Sequence, residues 1–289
     1  MEAANRDVVI NRIVAQLQKE NNSKKTIVIV GAGISNEAAS LPLGKEFAIS
    51  LKNSIVSSDN LLEQFNLKIE ELKIKYNFDS DDFKTILFAL NSVNSKLLIH
   101  KVCDNLSSPI IISPVYRYIA SLLFNKNVKA ILNFNFDEIL DQEILSVCGS
   151  NHYCKIISDN DIDSELLKCF SIHSSNAYPL YLKPHGSISE PCTLRFQRND
   201  FYRMEKKITF LLQTIFSDEP VDILVIGFRL KFHEFSTLLK KTLHRDSCIY
   251  IVDKSENILD KALLPYYHNY FVQIDNDFTL LDFAKTIDS

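Results

Sequence analysis

Glycine is scarce in this chain: six in 289 residues, about 2% where roughly 7% is usual. A sequence that uses glycine so sparingly places it where the backbone requires it. The six cysteines (Cys103, Cys148, Cys154, Cys169, Cys192 and Cys248) form no CxxC pair, which excludes a tetracysteine zinc ribbon. No stretch reaches the roughly 18 apolar residues that a membrane span needs. The first twenty residues mix charges throughout and hold no apolar core of a signal peptide, so reduced thiols in a cytoplasmic protein are expected. An excess of positive charge is missing too. With 32 basic against 36 acidic residues and a pI near 6.0, direct nucleic-acid binding is not expected.

What is present is ordinary globular composition, 46% hydrophobic and 24% charged, arranged in an alternation of short apolar runs and helical stripes. Thr26-Ile27-Val28-Ile29-Val30 is a β-branched run that reads as a buried parallel strand. It ends in Gly31-Ala32-Gly33-Ile34-Ser35, with Ser35 suited to cap a helix that begins at Asn36. Four more strands are predicted, at 128–132, 178–182, 221–226 and 248–252, most of them separated by helical patterns. The fold class is therefore α/β: a doubly wound, mostly parallel, Rossmann-like sheet. Residues 46–110 show helical patterns and no strand-like run. We read the chain as a single domain over 1–289, with a core of 1–45 and 111–289 and a smaller helical insert at about 46–110.

Every predicted strand runs into polar or glycine residues at its carboxyl end, the edge where open parallel sheets bind ligands. Gly31, Ala32, Gly33 and Ser35 follow the first strand, in the arrangement that cradles phosphates. The dehydrogenase fingerprint is incomplete: Asn36 stands where a third glycine belongs, and no acid occurs around 51–55 for the ribose hydroxyls. Asn135 and Asp137 alternate with Phe134 and Phe136 after the second strand, so on an extended segment both polar groups face one way. His185 and Gly186 follow the third strand, Gly227 and Arg229 the fourth, and Asp253 ends the fifth. No metal site is supported. His233-Glu234 begins like a zinc-protease helix but has Thr237 where the second histidine belongs, and Asp159, Asp161 and Asp163 lack the glycine and glutamate of a calcium loop.

In residues and in order, Gly31-Ala32-Gly33-Ile34-Ser35, Asn135-Phe136-Asp137, His185-Gly186 and Gly227 resemble the sirtuin family over roughly residues 26–255. The departures indicate a branch. Protein-deacylating sirtuins carry two CxxC pairs, and this chain has none; Asn133 replaces the threonine that opens the second motif, and Phe228-Arg229 follows Gly227 where the family has a small residue and serine. The pattern is similar to the zinc-free, sirtuin-like NAD-hydrolysing effectors of prokaryotic antiphage defence.

That resemblance implies cleavage of NAD, as substrate and without a metal, to nicotinamide and ADP-ribose. It implies His185 as general base, Asn135 holding the attacking water or ribose hydroxyls, and Asp137 orienting the loop or polarising the ribose. Gly31, Ala32, Gly33, Ser35, Gly186, Gly227, Arg229 and Asp253 would then contact the dinucleotide. It further implies a homo-oligomer or a complex with a separate sensor protein. An NAD-dependent protein deacylase and a catalytically inactive nucleotide-binding module are the alternatives.

Overall fold

The computed structural model describes residues 6–18, 26–42, 44–54, 59–76, 83–107, 113–125, 128–150, 152–158, 160–162, 178–195, 198–217, 219–228, 233–255 and 267–288. Seven parallel strands form one sheet: β1 (Thr26–Val30), β2 (Val128–Asn133), β3 (Cys154–Ile156), β4 (Leu180–Leu182), β5 (Asp222–Ile226), β6 (Cys248–Asp253) and β7 (His268–Gln273). Their spatial order is β3-β4-β2-β1-β5-β6-β7. The chain first builds outward from β1 through β2 to the β3 edge, then returns and continues from β5 on the other side. Because β1 is flanked by β2 and β5, the winding reverses at this strand, and the crevice at its carboxyl end is the ligand position of a doubly wound sheet.

All five residues of β1 and of β5 are buried, as strands covered by helices on both faces must be. Alternate residues divide between two layers. Val28, Val30, Ile131, Leu224, Ile226 and Val252 pack beneath α1 (Arg6–Leu17), α2 (Ala32–Ala39), α6 (Pro114–Phe124), α7 (Ile139–Cys148) and α10 (Leu280–Asp288). Ile27, Ile29, Leu132, Val225 and Ile251 pack against α8 (Arg198–Ser217) and α9 (His233–Thr242). The five predicted strands are present. The edge strands β3 and β7 are not among the expectations, because β3 is three residues long and β7 buries only Val272.

Between β1 and β2 lie α3 (Gly44–Asn53), α4 (Asp59–Tyr76) and α5 (Phe83–Leu106). Phe47, Leu51, Phe65, Leu72, Ile86 and Leu98 form a third apolar cluster of their own. The described residues of this stretch contain no strand. α5 breaks at Asn94 (φ −156°, ψ 88°), whose side chain accepts from the Leu97 amide at 3.0 Å and so caps the second half. Leu194, Phe136 and Ile188 reach into this cluster from the loops after β2 and β4. The three helices thus wall one side of the sheet's carboxyl edge.

The first turn differs from its expected form. α2 begins at Ala32, not Asn36, and Gly31 occupies its N-cap, so Ser35 lies inside the helix rather than at its start. The reason is close packing between two turns. The Gly31 amide donates to Ile226 O (3.1 Å) and the Gly33 amide to Gly227 O (2.8 Å), which draws the helix start against the end of β5. A Cβ on Gly33 would lie 2.7 Å from the Gly227 Cα, and one on Gly227 would lie 2.5 Å from the Ile34 amide nitrogen. Gly227 also has φ +59°, which a side chain disfavours. Gly227→Ala is therefore expected to destabilise the fold by about 2–3 kcal/mol and to weaken ligand binding at the crevice, measured by thermal melting and calorimetry.

Candidate active site

The carboxyl ends of β1, β2 and β4 converge on one crevice. After β2 the chain turns through Phe134-Asn135-Phe136-Asp137 into α7. Asn135 and Asp137 are buried on the side facing α2. Asn135 Nδ2 donates to Ser35 Oγ (2.9 Å) and to Gly31 O (3.2 Å), and Ser35 Oγ donates to Asp137 Oδ2 (2.8 Å). Four predicted site residues from two separate segments, Gly31, Ser35, Asn135 and Asp137, are thus joined in one hydrogen-bonded cluster. With both amide hydrogens of Asn135 engaged, its carbonyl oxygen is the group it has left to offer a ligand hydroxyl or a water.

Asp137 turns inward. Besides Ser35, its carboxylate accepts from the Ile139 amide at 3.2 Å, at the start of α7. Burial raises its pKa above the ordinary carboxylate value; Ser35, Lys183 and the Ile139 amide pull the other way without cancelling it. Such a carboxylate holds the loop in place. Tyr116, fully buried in α6, has its phenol pushed well up by burial and then by the Asp137 charge, so it remains protonated.

His185 follows β4 and is only partly buried. Its ring stands edge-on to Phe134 (centroids 5.2 Å apart, interplanar angle 81°) and tilted against Phe136 (5.9 Å, 31°). The histidine thus packs on the two phenylalanines that flank Asn135 in the chain, which brings the loop after β4 against the loop after β2. Phe134 stacks in turn on Phe228 at 4.4 Å, so the residue after Gly227 is part of the floor beneath the histidine. Gly186 has φ +83°, and a Cβ there would lie 2.1 Å from Thr193 O; only glycine allows the loop after His185 to fold back on itself.

The main-chain donors of the first turn are placed differently from the sequence expectation. Gly31 and Gly33 donate to the end of β5, and the Ile34 amide donates to Gly31 O at 3.0 Å. What the turn presents outward is the exposed Ala32 at the N-terminus of α2. Asp253 stands at the end of β6, two strands from β1, where it accepts from the Ser255 amide at 3.2 Å. Arg229 lies outside the described residues. Among the described residues, no group of three or more His, Cys, Asp or Glu is arranged to hold a metal ion. No helix among them is long and apolar enough to cross a membrane.

A buried polar network beneath the rim escaped the motif reading. Lys183, with no exposed surface, donates to Asp141 Oδ2 (2.8 Å), Asp137 O (2.7 Å) and Ser187 Oγ (3.0 Å). Tyr181 donates its hydroxyl hydrogen to the same Asp141 oxygen at 2.8 Å and accepts from Asn133 Nδ2 at 2.8 Å; Asn133 Oδ1 accepts from the Asn135 amide at 3.0 Å. Burial alone would raise the pKa of Asp141, but Lys183 and the Lys155 ammonium at 3.0 Å outweigh it, and the carboxyl sits below its ordinary value. The sequence signal was available: Asp141 falls on the apolar stripe of Leu140, Ile144 and Cys148, where an unpaired acid would be costly.

A doubly wound parallel sheet, with Asn135, Ser35 and Asp137 hydrogen-bonded together at its switch point, defines the class of the protein as Rossmann-like α/β. The model of the SIR2-like domain matches residues 129–274, about half of the chain, and the chain belongs to that family. The matched span contains Asn135, Asp137, His185, Gly186, Gly227 and Asp253, while the Gly31–Ser35 turn precedes it. Among solved structures, one described as the structural basis for the mechanism and regulation of Sir2 enzymes is similar. It is 13% identical, with 98% of this chain and 96% of that chain covered and a TM-score of 0.46. No curated protein matches the sequence.

Proposed function

We propose that this protein hydrolyses NAD to nicotinamide and ADP-ribose. The observation that carries the reading is the joining of Asn135, Ser35 and Asp137 in one cluster, with His185 packed on the phenylalanines either side of Asn135. The nicotinamide of NAD is cationic, and when its bond to the ribose C1′ breaks, the electron pair goes to the ring nitrogen and a neutral molecule leaves. The ribose carbon gains oxocarbenium character. The site must therefore offer lone pairs and hold a water in line, and an acceptor-only face suits both needs.

In this mechanism the side-chain carbonyl oxygen of Asn135 accepts a hydrogen from the attacking water. His185, at the open side of the rim, takes the proton as the water oxygen bonds to C1′; the products are ADP-ribose, nicotinamide and one proton. A base so placed contributes on the order of 10²- to 10⁴-fold. Asp137, committed to Ser35 and Ile139, positions the Asn135 loop rather than meeting substrate. The N-terminus of α2 at Ala32 favours the pyrophosphate through its dipole. Gly186 and Gly227 shape the walls, Asp253 meets the adenosine ribose, and Arg229 is assigned to a phosphate by the sequence resemblance alone.

The same reading makes the protein a cytoplasmic NAD-depleting effector of antiviral defence, switched on by self-assembly or by a separate sensor protein. Its support is the sequence resemblance: the motif set without CxxC pairs, and Phe228 in place of a small residue. The test is nicotinamide release from NAD without any acylated peptide, alone and with candidate partners, alongside the mass of the assembled species. Release without peptide is the expected result. Release only with an acetylated peptide would make it a deacylase, and binding without turnover in every assembly state would make it a regulatory module.

A further inference from the structure

The two strand-end loops that carry the rim arise from strands β2 and β4, which are neighbours, yet neither loop is held by the sheet ladder itself. One backbone bond joins them directly: the Ile188 amide donates to Phe136 O at 3.0 Å. Side chains supply the rest: Ser187 Oγ donates to Glu138 Oε1 at 3.4 Å, and the Lys183 ammonium spans both loops. Its three hydrogens go to three elements: Asp137 O at the end of the β2 loop, Asp141 Oδ2 in α7, and Ser187 Oγ in the β4 loop, two residues beyond His185. An ammonium has three donors, and all three are used.

We propose that Lys183 is a positioning residue that clamps the Asn135–Asp137 loop to the His185–Ser187 loop and so fixes the distance between carboxamide and imidazole. The proposal rests on the NAD-hydrolase reading for its consequence in turnover, and on the hydrogen bonds alone for its consequence in structure. The network extends the clamp to the other side of Asn135. Asp141, Tyr181 and Asn133 pass the constraint on to the Asn135 amide, so the loop is held at both ends. A displacement of about 1 Å between reacting groups costs on the order of 10²-fold in rate, which makes such a clamp consequential.

The test is the double variant Lys183→Met with Asp141→Leu, which removes both charges and leaves apolar side chains in the buried site, an exchange that folds tolerate. Two measurements apply to it. Amide exchange at Ile188 and Gly186 is expected to accelerate by about tenfold or more, while Val28 in β1 and Leu224 in β5 keep their protection. The kcat for nicotinamide release is expected to fall about 10- to 100-fold, with KM for NAD within about threefold. Unchanged exchange at Ile188 would overturn the clamp. So would acceleration spread evenly over β1 and β5, which marks a merely stabilising residue, or local loosening with kcat unaltered. If the wild-type chain releases no nicotinamide in any assembly state, the hydrolase reading falls, and exchange at Ile188 still decides the clamp. Should the double variant not fold, Ser187→Ala, which removes both the Lys183 arm and the bond to Glu138, is compared with Glu138→Ala, which removes only the latter; Ser187→Ala is expected to speed Ile188 exchange beyond Glu138→Ala, and no difference between them overturns the proposal.

Discussion

Alanine in place of His185 is expected to lower nicotinamide release by about 10³-fold while NAD affinity stays within about threefold. The magnitude follows from the position of the ring. The ring is partly exposed and packs against Phe134 and Phe136, and in the proposed mechanism it is the group that takes the water's proton. In the proposed mechanism the dinucleotide is bound elsewhere, by the walls around Gly227 and the start of α2, which the substitution leaves in place. Melting within a few degrees of the wild type would confirm an intact fold, since the deleted ring is not part of a closed core. Turnover at the wild-type rate would remove His185 from the mechanism. A parallel loss of NAD binding would recast it as a binding group.

The motif residues were readable because each breaks a strong local pattern. Glycine in a glycine-poor chain, or a polar pair inside a phenylalanine run, stands out against its neighbours. The sheet's central strands were readable for the same reason, being continuous β-branched runs. The edges were not, since β7 is mostly half-buried, with only Val272 fully buried, and so shows none of the apolar continuity that marked β1. The start of α2 was misplaced by four residues because its position is set by Gly227, nearly 200 residues away, and not by a local capping side chain. Ser35 illustrates the consequence. As a serine near a helix start it suggested a cap; in three dimensions it links Asn135 to Asp137. Lys183 was hidden by its own type, because a lysine after a strand ordinarily reaches solvent and only the fold reveals Asp141 opposite.

The Lys183–Asp141 pair also sets how the protein responds to acid. Removing one partner of a buried pair leaves an uncompensated charge, so Asp141→Asn is expected to cost about 3–5 kcal/mol at pH 7. The sign of the pH dependence follows from the direction of the shift. The folded Asp141 carboxyl lies below its ordinary value, so its contribution is full above the unfolded pKa and is lost as pH falls through the folded one. Asp137 acts oppositely. Its folded pKa is raised, so its burial penalty is present at neutral pH and relieved by protonation. The two carboxylates, four residues apart, therefore bend the acid limb in contrary directions, and the variant isolates one of them. Urea unfolding should show the Asp141→Asn deficit shrinking as pH falls below the ordinary carboxylate value, because acid protonates Asp141 in the unfolded chain first and the native pairing is lost as the folded carboxyl protonates in turn. A deficit that stays constant as pH falls would mean that the lost stability came from packing or from the Tyr181 hydrogen bond, and that the ion pair beneath the rim contributes little to holding it.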